Sequence, residues 1–442
     1  MQSGDKNIQW YQTKFKAFEQ SLNGEKAAAV HSLRRDAMRW FAELGFPTTR
    51  QEEWRFTNVL PISKLEFHPI LRFESNGITR DRMRPYLIEG AIQLVFINGM
   101  YASELSDRGA LQRDVIAGGL SDIMKKNPEK IKPYLANQVK GEENGFTALN
   151  TAFLRDGACI LVPRDIVLER PIQMLFVASD SSFPYLSQPR NLIIAGVHSQ
   201  FKIAETFVGV AQNTYLTNSV TEIVLEDQAI VEHDKVQRES LNAYHIGTTH
   251  LRMNAGSSYT SNVFSLGGSI VRNNNSVELA AEGIECTLNG LSLGAGTQVI
   301  DNHTAIDHAM PHCNSHELYK AILDGASKGV FNGKIFVRKD AQKTDAKQTN
   351  KTLLLSDDTT INTKPQLEIF ADDVKCTHGA TIGQLDAEQV FYLRSRGIDL
   401  ASARDILTFA FAADIVNRVT IEPLRAQLEE AIQRGLKQSH RV

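Results

Sequence analysis

Cys376 and His378 stand one residue apart in ADDVKCTHGATIGQLD, residues 371–386, and that spacing is where chemistry first becomes legible in this chain. On a β-strand alternate side chains share a face, so both would lie within reach of one bound atom. A neighbouring imidazole lowers a thiol's pKa, and the thiolate is both a nucleophile and a soft-metal ligand. Spacing alone leaves three readings open: a metal site, a nucleophile, or a buried cysteine beside a turn histidine. Asp372 and Asp373 are adjacent, so on a strand they point apart and make no acid/base couple.

A second cluster is DNHTAIDHAMPHCNSHE, residues 301–317, which packs His303, His308, His312, His316 and Cys313 among several carboxylates. These are metal-capable donors. Alternation along a strand would separate them and Pro311 interrupts any simple spacing, so the balance favours solvated or structurally bonded histidines. His303, His308 and His312 are kept as secondary metal candidates. GASKGVFNGKI at 325–335 fails as a phosphate-binding loop: one residue too few separates Gly329 from Gly333, and Ile335 follows Lys334 where a magnesium-ligating Ser or Thr is needed. It reads as a turn between strands, with no nucleotide site of that class.

The elements that must position these residues follow from length and texture. At 442 residues the chain exceeds one ordinary core and must divide or grow as an elongated repeat. Hydrophobic residues make up 42% and charged residues 22%, which argues against long disordered or fibrous segments. A net charge of -3 with no concentrated Lys/Arg face argues against a nucleic-acid surface. The cysteines at 159, 286, 313 and 376 include no CxxC pair, too sparse for a disulfide framework or a closed zinc site, and a reducing cytoplasm is the expected compartment. No secretory h-region opens the chain. ILTFAFAADIVNRV is interrupted by Asp414 and falls short of the roughly 20 residues a membrane span needs.

Apolar groups at helical spacing (Trp10, Phe15, Phe18; Leu33, Ala37, Trp40, Phe41, Leu44) predict two helices over 7–44, ended by Gly45 and Pro47. A polar, aromatic-studded connector follows, TTRQEEWRFTNVLP. AIQLVFING predicts a strand, and the segment to Val139 predicts helical pieces broken by Pro128 and Pro133. From Ala158 short β-branched runs recur between Gly, Asn, Asp and Ser for over two hundred residues, which requires a sandwich, a barrel or a β-solenoid. GSSYTSNV at 256 and GIECTLNG at 283 repeat Gly, Thr and Asn at an offset of 27 residues. That offset suits one solenoid coil, with asparagines able to ladder between coils, and an antiparallel sandwich remains the competing architecture. At Asp386 the texture turns helical: an N-cap at Asp386 and a stop at Gly397, an apolar helix over 401–419 with stripes through Leu407, Phe411 and Ile415 and through Ile406, Phe409, Ala413 and Val416, then a helix from Pro423 to about Leu436. The expected organisation is an N-terminal helical region with connector over 1–90, a mixed α/β entry segment over 91–157, a β-core over 158–385, and a C-terminal helical domain over 386–442.

Residues 332–399 resemble the SufB/SufD family of iron-sulfur cluster assembly proteins. The resemblance is carried by AQKTDAKQ at 341–348, LLLS at 353–356, P-x-LEI-x-ADDVKC-x-HGAT at 365–381 and FYLRSRGI at 391–398, with GFPTTRQEEWRFTN at 45–58 similar to the family's N-terminal connector. The absence of cysteine before Cys159 and the HGAT-x-GQLD wording resemble the SufD side of the family; Thr377 stands where a serine is expected. The resemblance implies a right-handed parallel β-helix flanked by helical regions. It implies a non-enzymatic scaffold subunit of a complex with a SufB-like subunit and a SufC-like ABC ATPase, the ATPase docking on the C-terminal helices through Phe391, Leu393, Leu407, Phe411 and Ile415. It places Cys376 and His378 at the SufB contact, where iron, sulfide or a nascent Fe-S cluster passes transiently, His378 as ligand or proton handler and Cys376 as accessory thiolate. No tightly bound cofactor is expected; flavin is associated with such complexes, but no flavin motif is present and the question stays open. A homodimer of the chain alone is allowed by the unpaired end of such a helix. The alternative is a stand-alone β-helix enzyme, metal-dependent or hydrolytic, using His303 to His316.

Overall fold

The computed structural model describes residues 3–22, 29–109, 111–112, 114–139, 141–142 and 144–439. The two expected N-terminal helices are Ser3–Ser21 and Ala29–Leu44. The second stops where Gly45 turns to φ 60° and donates its N–H to Phe41 O at 2.8 Å, as expected where a helix hands over to a left-handed residue. Gly24, the one internal glycine of 7–44, lies outside the described residues. These helices bury Tyr11, Phe15, Phe18 and Phe41 against Phe146 and Leu149 of the Gly145–Ala152 helix and Phe153 at its C-cap.

The β-rich core is a parallel solenoid. One sheet runs through Arg190–Ala195, Tyr215–Leu225, Tyr244–Met253, Ile270–Leu279, Val299–His308, Lys328–Val337 and Thr360–Ile369. The facing sheet runs through Ile172–Ala178, Gln200–Gly209, Ile230–Arg238, Ser258–Ser265, Glu285–Gly294, Asn314–Leu323, Asp345–Leu354 and Lys375–Gly383. Each coil adds one strand to each sheet, and neighbouring coils pair parallel and in register. The echo in the sequence is this register: Ser258 pairs with Glu285, 27 positions on, and Asn262 with Asn289. Asn289 Nδ2 donates to Asn262 Oδ1 at 2.9 Å, and Asn262 Nδ2 donates to Asp234 Oδ1 at 2.7 Å, so the ladder exists. The solenoid starts earlier than the texture change indicates, because Ile92–Ile97 pairs parallel with Ile172–Ala178.

Alternation sorts every strand into a lumen face and an outer face. The lumen is filled mainly by apolar groups such as Phe176, Phe207, Ile203, Cys286, Leu288, Tyr319 and Phe331. The turn expected over 325–335 is confined to its first residues: Gly325 takes φ 64°, and Lys328–Val337 is a strand in which Gly333 faces the lumen. On the outer face of the second sheet, Val236, Phe264, Leu291, Ile322 and Leu353 meet Ala412, Ile415 and Val416 of the Leu400–Val416 helix and Leu424, Leu428 and Ile432 of the Glu422–Ser439 helix. Among the described residues no helix is long and apolar enough to cross a membrane.

Candidate functional site

Cys376 and His378 lie on Lys375–Gly383, the last strand of its sheet, which pairs with Asp345–Leu354 alone. Cys376 opposes Ala346 and His378 opposes Gln348. Ala346 and Gln348 are buried lumen residues, so the pair shares the lumen-side face of the terminal rung, as the spacing requires. Cys376 packs partly buried against Ile335, Val337, Ala341, Ala346 and Ala371, whereas His378 is exposed at the open end. The thiol differs from the expected activated one. Burial pushes it up, the Asp345 carboxylate adds to that, and a hydrogen bond with the Ala346 backbone only partly opposes them. Cys376 is thus a held, reserved thiol beside an accessible imidazole. The open end carries exposed Ile369, Phe370 and Ile382, an apolar rim around an unpaired strand edge.

The histidine cluster of 303–316 is dispersed by alternation. His303 faces outward, His308 inward with its Nε2 2.9 Å from Ser315 Oγ, and His312 lies in a turn at φ 58°. Burial pushes His308 down to about 4. Among the described residues no three His, Cys, Asp or Glu side chains are arranged to hold a metal ion. His303 has a different setting, which the sequence reading missed: Asp301 Oδ1 lies 3.0 Å from its Nε2 and Glu53 Oε2 of the connector 3.2 Å from its Nδ1. Arg272 reaches Asp301 Oδ2 at 2.8 Å, donates to Glu53 O at 2.7 Å and lies 3.8 Å over the Trp54 ring. Thr57 donates to Asp301 Oδ2 at 2.5 Å, and Lys364 pairs with Glu52. The connector is therefore strapped to the outer face of the first sheet. The i, i+2 spacing of Asp301 and His303 was a readable signal; the partner at Glu53 was not.

At the C-terminal end, Asp386 caps the Ala387–Ser395 helix, its Oδ1 accepting from Glu388 N at 2.8 Å and Gln389 N at 3.4 Å, and Gly397 turns away at φ 87°. Phe391 is 74% exposed, and Tyr392, Leu400 and Ile406 are exposed around it. Leu393 and Leu407 line a groove of about 940 Å³ beside Phe391. The apolar stripe through Ile415 does not share this surface. Ile415 is fully buried on the solenoid, and Phe411 is half-buried with Lys320 4.4 Å from its ring centre. The reason is local: the outer face of the second sheet is itself apolar and covers that stripe within the chain.

The SUF system FeS cluster assembly SufBD core domain matches residues 176–411, and the SufBD protein N-terminal region matches residues 5–174. The chain belongs to the SufBD family. This family member is 34% identical over 420 residues to an iron-sulfur cluster assembly SufBD family protein of Synechocystis, covering 93% of the chain and 92% of the relative. It is 30% identical over 386 residues to the iron-sulfur cluster assembly protein SufD of Escherichia coli, covering 87% and 88%. It is 26% identical over 441 residues to SufD of Bacillus subtilis, covering 93% and 95%. The core match contains the whole terminal rung, so Cys376 and His378 lie within the matched region, and iron-sulfur cluster assembly is the process this SufBD protein serves.

Proposed function

We propose that this SufBD protein is a SufD-like scaffold subunit that works with a SufB-like chain and a SufC-like ATPase in the cytoplasm, presenting Cys376 and His378 at its contact with the SufB-like chain. The observation that carries this reading is the position of the pair: both residues sit on the terminal, singly paired strand of the solenoid, inside an exposed apolar rim. An unpaired parallel edge is a template for another chain. One thiol and one imidazole fill at most two positions on an iron or a cluster, which as cargo needs further ligands. A facing chain supplies them, and the site is complete only across the contact. Nucleotide hydrolysis belongs to the separate ATPase, docked on the exposed Phe391 surface, with Leu393 and Leu407 at its edge.

The test is His378→Ala and Cys376→Ala in the reconstituted three-subunit complex, with iron and sulfide content measured after assembly. His378→Ala lowers cluster yield several-fold while the fold and the complex persist. Unchanged yield would remove the terminal rung from the function.

A further inference from the structure

Beneath the terminal rung, the lumen holds an acid for which the packing has no use. Glu317 faces inward from Asn314–Leu323, Gln348 is its in-register neighbour on the next coil, and His378 is the in-register neighbour of Gln348. Successive rungs are ~4.8 Å apart, so these three residues form one stack from the interior to the open end. Glu317 and Gln348 are 3% and 2% exposed. Gln348 Nε2 donates to Glu317 Oε2 at 2.5 Å, and Gln348 Oε1 has no partner among the described residues.

Glu317 differs from the other interior carboxylates. Glu205 and Glu239 each bond a histidine, His233 at 2.9 Å and His245 at 2.7 Å. Among the described residues Glu317 has no ion pair; its Oε2 accepts from the Gln348 amide, and its Oε1 has no hydrogen-bond partner. Burial accordingly pushes its carboxyl up to about 7. The titratable groups that feel its charge are Cys286 on the coil below and Tyr319 on its own strand, and burial pushes both far above neutrality. Thr304, which acts on it from the opposite sheet, carries no charge. The space for the amide is built in: a Cβ on Gly333 would stand 2.3 Å from Gln348 Nε2. A buried, unpaired acid one residue removed from an exposed functional rung has a cost that packing does not explain.

We propose that Glu317 is a positioning residue for the terminal rung, setting which end of the Gln348 amide is turned toward His378. When ionised, Glu317 accepts the Gln348 N–H, as observed, leaving the amide oxygen as the free end. When it takes a proton through the open end, its O–H donates to the amide oxygen, the amide turns over, and its N–H becomes the free end. His378 therefore meets an acceptor in one state and a donor in the other, so ligand exchange at the rung follows proton uptake below it. This inference rests on the reading of Cys376 and His378 as the assembly site.

Two measurements separate the two ideas. In the isolated full-length chain with 15N-labelled glutamine, the Gln348 side-chain amide resonance shifts with an inflection near pH 7, and Glu317→Gln abolishes that inflection; an amide signal that does not respond to pH overturns the relay whatever the site does. In the assembled complex, cluster formation is followed from pH 6 to pH 9. The wild type changes rate by at least threefold through the same inflection, Glu317→Gln and Gln348→Leu flatten the profile, and Glu317→Asp keeps it. A wild-type profile in folded Glu317→Gln sinks the relay while His378→Ala still reports on the site. Gly333→Ala, which displaces the amide, gives the flattened profile with Glu317 left in place.

Discussion

Glu53 and His303, 250 positions apart in sequence, meet at 3.2 Å on the outer face of the solenoid. Asp301 Oδ1 lies 3.0 Å from the other ring nitrogen, a contact that is an ion pair only when the imidazole is protonated. Burial opposes the charge, yet Asp301 and Glu53 together raise the pKa of His303 above its ordinary value. A histidine whose folded pKa is raised contributes its full stabilisation below about pH 6.5, and that contribution fades as pH climbs through the folded value. His303→Gln is expected to cost about 1–3 kcal/mol at pH 6 and less at pH 9. Thermal unfolding at the two pH values, with hydrogen exchange over residues 52–58, checks it; an equal loss at both would mean the clamp is not charged.

Asp234 titrates in the same direction for a different reason. It is buried with one oxygen on Asn262 and the other without a partner among the described residues, and burial, with Glu232 nearby, pushes its carboxyl up to about 8. The folded state therefore binds a proton that the unfolded chain has released, and stability falls as pH rises from about 4, the ordinary carboxyl value, to about 8. Asp234→Asn keeps the shape and removes the titration. Its unfolding midpoint should exceed the wild type's by a few degrees above pH 8 and match it near pH 4. A wild-type curve at both ends would show that Asp234 is already neutralised by a contact.

Two apolar residues of the C-terminal helices separate folding from docking. Ile415 is fully buried on the solenoid, while Phe391 is exposed. Ile415→Ala is expected to destabilise the chain by about 2–5 kcal/mol through the cavity it leaves. Phe391→Asp, by contrast, should leave the unfolding midpoint within a degree or two and abolish pull-down of the ATPase subunit. If the Phe391 variant still captures the ATPase, the docking surface lies elsewhere.

What the sequence revealed and what it hid divide along one physical line. Register was legible where one coil echoes the next, as Asn262 and Asn289 do at an offset of 27, and hidden where the offset changes to 29 and then 31 residues. The face shared by Cys376 and His378 was legible because strand alternation is local geometry. The strap through Glu53 was hidden because no local rule links a connector to a strand 250 positions away. The cover of Ile415 was hidden for a related reason: an apolar stripe states that it must be covered, not by what, and here the solenoid covers it. Gly333 looked like a turn and is a space, since only the position of Gln348 on the next coil explains why a side chain cannot be tolerated there.

The state of the Cys376 thiol is open to direct measurement. Burial raises its pKa first and the Asp345 carboxylate second, so the reactive thiolate is scarce at neutral pH. Cys159, Cys286 and Cys313 are buried in the folded chain, which leaves Cys376 as the thiol an alkylating reagent meets among the described residues. Iodoacetamide labelling read by mass spectrometry should be slow at pH 7 and accelerate steadily toward pH 9. Asp345→Asn removes the nearby negative charge and should speed labelling at pH 7 by a few-fold, in line with the tenfold that ~1.4 kcal/mol would give. His378→Ala should leave the rate unchanged, since the imidazole is exposed and the thiol is controlled from below. A marked slowing in that variant would mean the histidine activates the cysteine directly, and the reserved thiol would have to be read as a nucleophile instead.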